Sequence, residues 1–225
     1  MAIFDQYWWM LVLPAFLISL WAQFKVKSTF KKYSKVPARM TGADASRMIQ
    51  RQNGISVPIE SSAGSLTDHF DPRRSVIRLS EPVGNAATVS AVGVAAHETG
   101  HALQYARQYF PIKLRTAILP PTQISSTLAP WVFFLGLWMD YGILAYVGLA
   151  MFGLALVFQI LTLPVEFNAS ARACAALAAS GEFSGEQLAG VRKVLNAAAL
   201  TYVAAMLVSL MSFVRLLLLT QRRRR

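Results

Sequence analysis

The sequence predicts a mainly α-helical membrane protein that also carries a small α+β domain. Four runs lack any charged residue over about 18 residues or more, which is enough for a helix to cross the hydrocarbon core of a bilayer. Short segments of strand-like composition lie between the first and second runs and predict a small sheet. The four runs are Tyr7–Phe24, Ala117–Met139, Tyr141–Val165 and Leu195–Val214. We therefore expect about four transmembrane helices.

Residues 25–115 are expected to form the α+β domain. Thr41 suits the N-cap of a short helix that continues to Gln52 and stops at Gly54. Three strands should follow, and the turn Asp71–Arg74 should join the last two into a hairpin. A longer helix of small residues is then predicted from Ala87 to Arg107. The predicted strands are Ile55–Ile59, Leu66–Phe70 and Ser75–Leu79.

Turns and caps divide the remainder of the chain. The turn Asp140–Gly142 makes a hairpin of the second and third runs, and the second run is expected to kink or start late at its prolines. Pro164 should end the third run and start a new helix, Val165–Ala179. Ser184 and Gln187 form a capping-box pattern ahead of a helix that enters the fourth run. The predicted segments are 1–24 (first membrane helix), 25–115 (α+β domain), 116–165 (membrane hairpin), 166–193 (helical segment) and 194–225 (last membrane helix and basic tail).

The basic residues concentrate beside the apolar runs and give a net charge of +11 from 22 basic and 11 acidic residues. No basic groove interleaved with aromatic residues is present, so nucleic acid is not expected as a partner. Juxtamembrane charge instead favours the lipid bilayer, and positive loops stay cytoplasmic. Residues 25–115 should therefore lie in the cytoplasm. Arg222–Arg225 would then be translocated if all four runs cross, unless the last helix lies in the interface or turns back. Because the positive residues around the first run outnumber these four, the crossing of the fourth run is the weaker expectation.

An HExxH pattern lies in the predicted longer helix and is formed by His97, Glu98 and His101. Histidines four residues apart lie on one face of a helix, which suits two imidazoles that bind one metal ion. A neighbouring glutamate can take a proton from an attacking water, as in zinc hydrolases. Burying Glu98 beside two imidazoles without a cation would be costly, which favours a metal site over a purely structural helix. The single Cys174 excludes a Cys-rich zinc site.

A catalytic zinc ion needs a third protein ligand and an open position. Glu166 is the strongest candidate, because it follows a long uncharged run where an unpaired carboxylate would be expensive. Capping of a helix N-terminus is the alternative role for this glutamate. The other candidates are His69, Asp68, Asp71 and Glu81.

The chain resembles the YugP-like neutral zinc metallopeptidases over nearly its whole length. The resemblance rests on four motifs, which are Leu66–Pro72, Val94–Gln104, Glu166–Ala173 and Val194–Ala204. The segment Glu166-x-x-Ala169-Ser170 is also similar to the E-x-x-A-D element of the HtpX-like and CAAX-prenyl-protease membrane zincins. That similarity implies that Glu166 is the third zinc ligand. Ser170 replaces the Asp that is expected to orient a zinc-bound histidine from outside the ligand set.

The resemblance implies a zincin-like α+β catalytic domain and a zinc-dependent integral-membrane endopeptidase, in the plasma membrane of a bacterium. In that reaction Glu98 would assist the attack of a zinc-bound water on a peptide bond of a peptide or membrane-protein substrate. His69, Arg172 and Tyr202 are the candidates for oxyanion or substrate binding. The alternative function is a membrane scaffold or adaptor with a structural zinc site, which would tolerate loss of Glu98. The sequence leaves the oligomeric state open.

Overall fold

A computed structural model describes residues 5–222, and these form helices and one small sheet. A short π-helical segment, Trp8–Val12, precedes the first α-helix. The α-helices are α1 (Leu13–Tyr33), α2 (Gly42–Asn53), α3 (Glu81–Gly84), α4 (Val89–Ala106), α5 (Phe110–Trp138), α6 (Gly142–Ala179) and α7 (Gly185–Arg222). The strands are β1 (Ile59–Ser62), β2 (His69–Asp71) and β3 (Val76–Ser80).

The chain divides into two compact units. The mixed unit contains the sheet, α2, α3 and α4, and it comprises Phe24–Ile112 and Pro164–Ala199. The helical unit comprises the described parts of Met1–Gln23, Lys113–Leu163 and Leu200–Arg225. The first part of α6 and the last part of α7 belong to the helical unit, and their remaining parts belong to the mixed unit. The five segments stay a prediction.

The sheet of the mixed unit has the strand order β1-β3-β2. β2 and β3 are antiparallel and form the predicted hairpin, whereas β1 runs parallel to β3. The predicted first strand, Ile55–Ile59, is wrong in position, because β1 begins at Ile59. Gln50 explains the shift: its Oε1 accepts a hydrogen bond from the Val57 N–H at 2.6 Å, so this segment bonds to α2 instead of to a strand. The other two strands are displaced by one to three residues.

The core of the mixed unit surrounds α4. Thr41 caps α2 by accepting a hydrogen bond from the Asp44 N–H, and Gly54 ends α2 in the left-handed conformation, both as predicted. The apolar face of α2 packs on α4, and α6 and α7 contribute further apolar residues to the same cluster. Its fully buried members include Ile49, Val92, Leu177 and Val191.

The helical unit contains the predicted α5–α6 hairpin. Its turn places Asp140 at a φ of 55°. Gly136 and Gly148 let the two helices approach closely, since a Cβ at either position would lie within 2.5 Å of the facing backbone. Phe133 and Leu149 lie in the apolar core between these helices and α7.

The expected helix boundary at Pro164 is wrong, because α6 continues through this residue from Gly142 to Ala179. A proline inside a helix costs one backbone hydrogen bond. Val165 and Ala169, which follow Pro164 by one and five residues, are both fully buried, and their burial favours the continuous helix. The capping box holds as predicted, since the Ser184 N–H donates to Gln187 Oε1 and the Gln187 N–H donates to Ser184 Oγ. α7 then continues as one helix.

Within residues 5–222, three helices are long and apolar enough to cross a membrane: Trp8–Tyr33, Gly142–Ala179 and Gly185–Gln221. α5 is not among them, so the expected count of about four is not confirmed. The prolines and polar side chains of residues 120–127 lower the hydropathy of α5. α5 begins at Phe110, so the late start considered for the second run is not observed.

Candidate metal centre

α4 places the HExxH residues inside the mixed unit. Thr88 caps this helix by accepting a hydrogen bond from the Ala91 N–H, and the helix begins two residues later than predicted. Small side chains before the motif let α4 lie buried along most of its length. The rings of His97 and His101 are close neighbours, with centroids 4.7 Å apart and planes at 85°. Their Nε2 atoms both face α6.

Glu166 reaches the two histidines from α6. Its Oε2 lies 3.3 Å from His97 Nε2 and 3.5 Å from His101 Nε2. Only 2% of the residue is exposed. Gly100 makes this approach possible, because a Cβ there would lie 2.5 Å from the carbonyl oxygen of Ala169. The helix-weakening glycine in the motif therefore serves the close contact of α4 with α6.

The distances from Glu166 to the two histidines fit ligands of one tetrahedral metal ion. Their ligand atoms all lie within 4.8 Å of one another. With bonds of about 2.0–2.2 Å around zinc, tetrahedral ligand atoms lie about 3.3–3.6 Å apart. The separations of 3.3 and 3.5 Å match that spacing and exceed the usual length of a charge-assisted hydrogen bond. His97, His101 and Glu166 can therefore hold one zinc ion.

The other ring nitrogen of each histidine has a polar partner, which leaves both Nε2 atoms directed at Glu166. His97 Nδ1 lies 3.1 Å from Ser170 Oγ. His101 Nδ1 lies 3.0 Å from Gln104 Oε1. Ser170 stands where the HtpX-like proteins carry an Asp that is expected to orient a zinc-bound histidine, and in this chain it contacts His97. An Asp there would add a charge that the hydroxyl lacks.

The electrostatics of the site favour positive charge. Burial disfavours the protonated form of His101, but the carboxylates of Glu166 and Glu98 outweigh burial and raise its pKa above the usual value. Two carboxylates that face two imidazoles in a buried position attract a proton or a metal cation. This is the environment expected at a metal centre.

Glu98 lies beside this group and is 9% exposed. Its Oε2 accepts a hydrogen bond of 3.0 Å from the Phe70 N–H of β2. The Phe70 ring packs against Tyr105 of α4, with centroids 5.3 Å apart. β2 is an edge strand of the sheet, and Phe70 brings this edge next to the carboxylate that is expected to act as the base.

The remaining predicted residues lie in different places. His69 is exposed on β2, and its Nδ1 lies 2.8 Å from the Thr67 carbonyl oxygen. Arg172 donates from Nε to Asn168 Oδ1 at 2.7 Å and lies over the Tyr109 ring. Tyr202 belongs to the helical unit. Their assignment to oxyanion or substrate binding stays a prediction.

The alternative third ligands have other partners. Asp68 accepts hydrogen bonds from the N–H and Oγ of Ser80. Asp71 accepts from the Arg73 N–H and pairs with Arg78. Among the described residues, the group that could hold a metal consists of His97, His101 and Glu166.

The roles of Gln104 and Asn168 were not predicted from the sequence. Gln104 contacts His101, and Asn168 contacts Gln104. Gln104 was detectable in principle, because it is a polar residue in an apolar run and lies one helical turn after His101. Asn168 lies two residues after Glu166 and gave no comparable signal. Both belong to one hydrogen-bond network with His101.

Two histidines and a glutamate that converge from two helices, with a second glutamate beside them, define a candidate metal centre of the HExxH class. The chain belongs to a zinc metallopeptidase family: residues 8–221 match the family described as "Putative neutral zinc metallopeptidase". It is also 48% identical over 212 residues to the "Putative membrane protease YugP" of Bacillus subtilis (strain 168), across 93% of this chain and 94% of that protein. No solved structure matches. The resemblance stated from the motifs is thereby confirmed.

Proposed function

We propose that this protein is a zinc-dependent integral-membrane endopeptidase, with His97, His101 and Glu166 as zinc ligands and Glu98 as the general base. The observation that carries the proposal is the convergence of the three ligand atoms within 4.8 Å of one another, beside a further carboxylate, with Glu166 at 3.3 and 3.5 Å from the two histidines. Membership of the zinc metallopeptidase family supports the protease role. The relative's name supports a membrane setting.

Bound zinc would act as a Lewis acid, which lowers the pKa of water and polarises a carbonyl group. Glu98 would accept a proton from the attacking water and pass it to the leaving nitrogen of the peptide bond. The Phe70 N–H holds one oxygen of this carboxylate in place, so the side chain is oriented before substrate arrives. Low exposure strengthens these polar interactions, because little water competes with them.

The edge of β2 is the proposed binding surface for an extended peptide. An edge strand can pair through its main chain with a substrate segment. The hydrogen bond from Phe70 to Glu98 places this edge directly next to the base. The proposed substrate is therefore a peptide, or a membrane-protein segment in extended form.

The proposed location is the plasma membrane of a bacterium, with the metal centre on the cytoplasmic side. The support is the high density of lysine and arginine in residues 25–51, next to the first apolar run. Loops rich in these residues stay in the cytoplasm.

Replacement of Glu98 tests the proposed reaction and separates it from the scaffold alternative. We expect Glu98→Gln to lower cleavage of an unstructured, fluorescently labelled protein by more than about 100-fold, because the general base is lost. Zinc content should not change, since Glu98 is not a ligand. Glu186→Gln is the control, because this glutamate is exposed on α7. Cleavage by Glu98→Gln within about tenfold of the parent rate would contradict the role of general base.

A further inference from the structure

Gln104 is a completely buried amide on α4, one helical turn after His101. It makes three hydrogen bonds within the mixed unit. Its Oε1 lies 3.0 Å from His101 Nδ1, and its Nε2 donates to the Val165 carbonyl oxygen at 2.7 Å and to Asn168 Oδ1 at 3.0 Å. This side chain therefore joins the histidine on α4 to the backbone of α6 beside Glu166.

The orientation of the Gln104 amide follows from chemistry. A backbone carbonyl only accepts hydrogen bonds, so the atom that faces Val165 must be the NH₂ group. The amide oxygen must then face His101, and it can only accept. His101 Nδ1 must therefore carry the proton of this hydrogen bond. In the neutral ring, the lone pair is then on Nε2, the atom that faces Glu166.

Arg172 is a second group of fixed hydrogen-bond polarity, and through Asn168 it imposes the same orientation on the Gln104 amide. A guanidinium only donates hydrogen bonds, and Arg172 Nε donates to Asn168 Oδ1 at 2.7 Å. The same oxygen accepts from Gln104 Nε2. The Tyr109 ring, 5.8 Å from the guanidinium carbon, holds Arg172 in place. No buried side-chain nitrogen or oxygen in the described part of the chain lacks a partner, so the network is complete.

We infer that Arg172, Asn168 and Gln104 form a hydrogen-bond network that fixes the tautomer and ring orientation of His101 for metal binding. Arg172 and Gln104 both donate to Asn168 Oδ1, and the amide oxygen of Gln104 is left to accept from His101 Nδ1. The inference rests on the proposed function, because it assigns His101 as a zinc ligand. Gln104 is thus a positioning residue, and Arg172 supports it instead of contacting substrate. The tautomer of His97 is not fixed by its partner in this way, since the Ser170 hydroxyl can rotate and either donate or accept.

Two substitutions at Gln104 test the inference. Gln104→Met removes the acceptor for His101, whereas Gln104→Glu keeps an acceptor there; both disturb the bonds to Val165 and Asn168. We expect Gln104→Met to weaken zinc binding about 10–100-fold and Gln104→Glu to stay within about threefold of the parent. Affinity is measured by competition with a chelating dye, on full-length protein in lipid nanodiscs. Equal zinc affinity of the two variants would overturn the inference.

Proton NMR of the zinc-loaded protein gives a second readout that a merely structural role would not change. The chain has three histidines, so few imidazole N–H resonances are expected. The His101 Nδ1–H resonance should be protected from exchange in the parent and in Gln104→Glu, and lost in Gln104→Met. Persistence of this resonance in Gln104→Met would contradict the proposed network.

Gln50→Met is the matched control, because Gln50 is also buried in the mixed unit but bonds to Val57. Its zinc affinity should equal that of the parent. If Gln104→Met does not fold, Asn168 provides the test: Asn168→Asp keeps the acceptor for Gln104 and Arg172, whereas Asn168→Leu removes it. Weaker zinc binding in Asn168→Leu alone supports the network, and equal binding overturns it. Absence of zinc from the parent protein would instead reject the proposed function.

Discussion

The two candidate zinc-binding histidines have outer partners of unequal strength. Ser170 offers His97 a rotatable hydroxyl, while Gln104 offers His101 an amide whose direction is fixed. Residues that orient a metal-binding histidine raise metal affinity by restricting the ring and its tautomer. His101 should therefore be the better organised ligand of the two.

Substitution of Ser170 tests this difference. Ser170→Ala should weaken zinc binding about tenfold, at the low end of the usual cost of losing an outer partner. Ser170→Asp should bind zinc at least as tightly as the parent, because a carboxylate at this position accepts the His97 Nδ1–H and adds negative charge. Chelator competition provides both affinities. Unchanged binding in Ser170→Ala would show that the hydroxyl does not orient His97.

At the level of residues, spacing alone predicted that His97 and His101 share a helix face. The choice of Glu166 also needed its isolated position after an apolar run, together with the resemblance to known families. Gln104 and Asn168 escaped prediction because hydrogen-bond direction depends on partners from α4 and α6 that are about 60 residues apart. No local pattern encodes such pairs.

Close contact between α4 and α6 is the structural condition for the site. Gly100 and Gly93 both lie on α4, but they have different surroundings. A Cβ at Gly100 would lie 2.5 Å from a backbone oxygen of α6, whereas a Cβ at Gly93 would lie 3.5 Å from a Val191 methyl group, an ordinary contact. Gly93 is therefore a suitable control for Gly100, because both lie on α4 and only Gly100 is in close contact with another backbone.

We expect Gly100→Ala to push α4 away from α6, to destabilise the protein by about 1–3 kcal/mol through overpacking, and to weaken zinc binding. Gly93→Ala should be neutral or more stable by up to about 1 kcal/mol, because alanine favours helix formation. Thermal unfolding in nanodiscs and chelator competition measure both effects. Similar behaviour of the two variants would argue against the role of Gly100 in helix approach.

Elements defined by hydrogen bonds between residues close in sequence were predicted correctly. Elements whose bounds depend on contacts with other parts of the fold were not. The caps at Thr41 and at Ser184 with Gln187 are local hydrogen-bond patterns, and both are present. The first strand was misplaced because the Val57 N–H bonds to Gln50 of α2. The helix boundary predicted at Pro164 was wrong because burial of Val165 and Ala169 after it outweighs the local cost of proline.

At the scale of the whole chain, three features of the helical unit bear on its orientation in the membrane. Arg215 donates two hydrogen bonds to Asp5 Oδ2, at 3.1 and 2.8 Å. Tyr7 packs against the core that includes Leu137 and Leu219. Tyr141 and Thr220 line one cavity of about 500 Å³. The start of the first helix, the α5–α6 turn and the last part of α7 therefore lie at the same end of the helical unit.

This arrangement, with the basic residues 25–51 on the cytoplasmic side, predicts that the α5–α6 turn faces the outside of the cell. Single cysteines at Tyr141 and Ser61 test it in a Cys174→Ser background, because both positions are exposed. An impermeant thiol reagent should label the cysteine at 141 in intact cells and the cysteine at 61 only after lysis. Labelling at 61 in intact cells would reverse the orientation. The predicted placement of Arg223–Arg225 lies outside the described residues.

The proposed function depends most directly on one zinc ion held by His97, His101 and Glu166. Purified protein should contain about one zinc per chain, and X-ray absorption should show nitrogen and oxygen ligands without sulfur. Glu166→Ala should weaken zinc binding by more than about tenfold, because a ligand is lost, while Glu81→Ala and His69→Ala should leave it unchanged. Unchanged zinc affinity in Glu166→Ala, or its loss in either control variant, would contradict this ligand set.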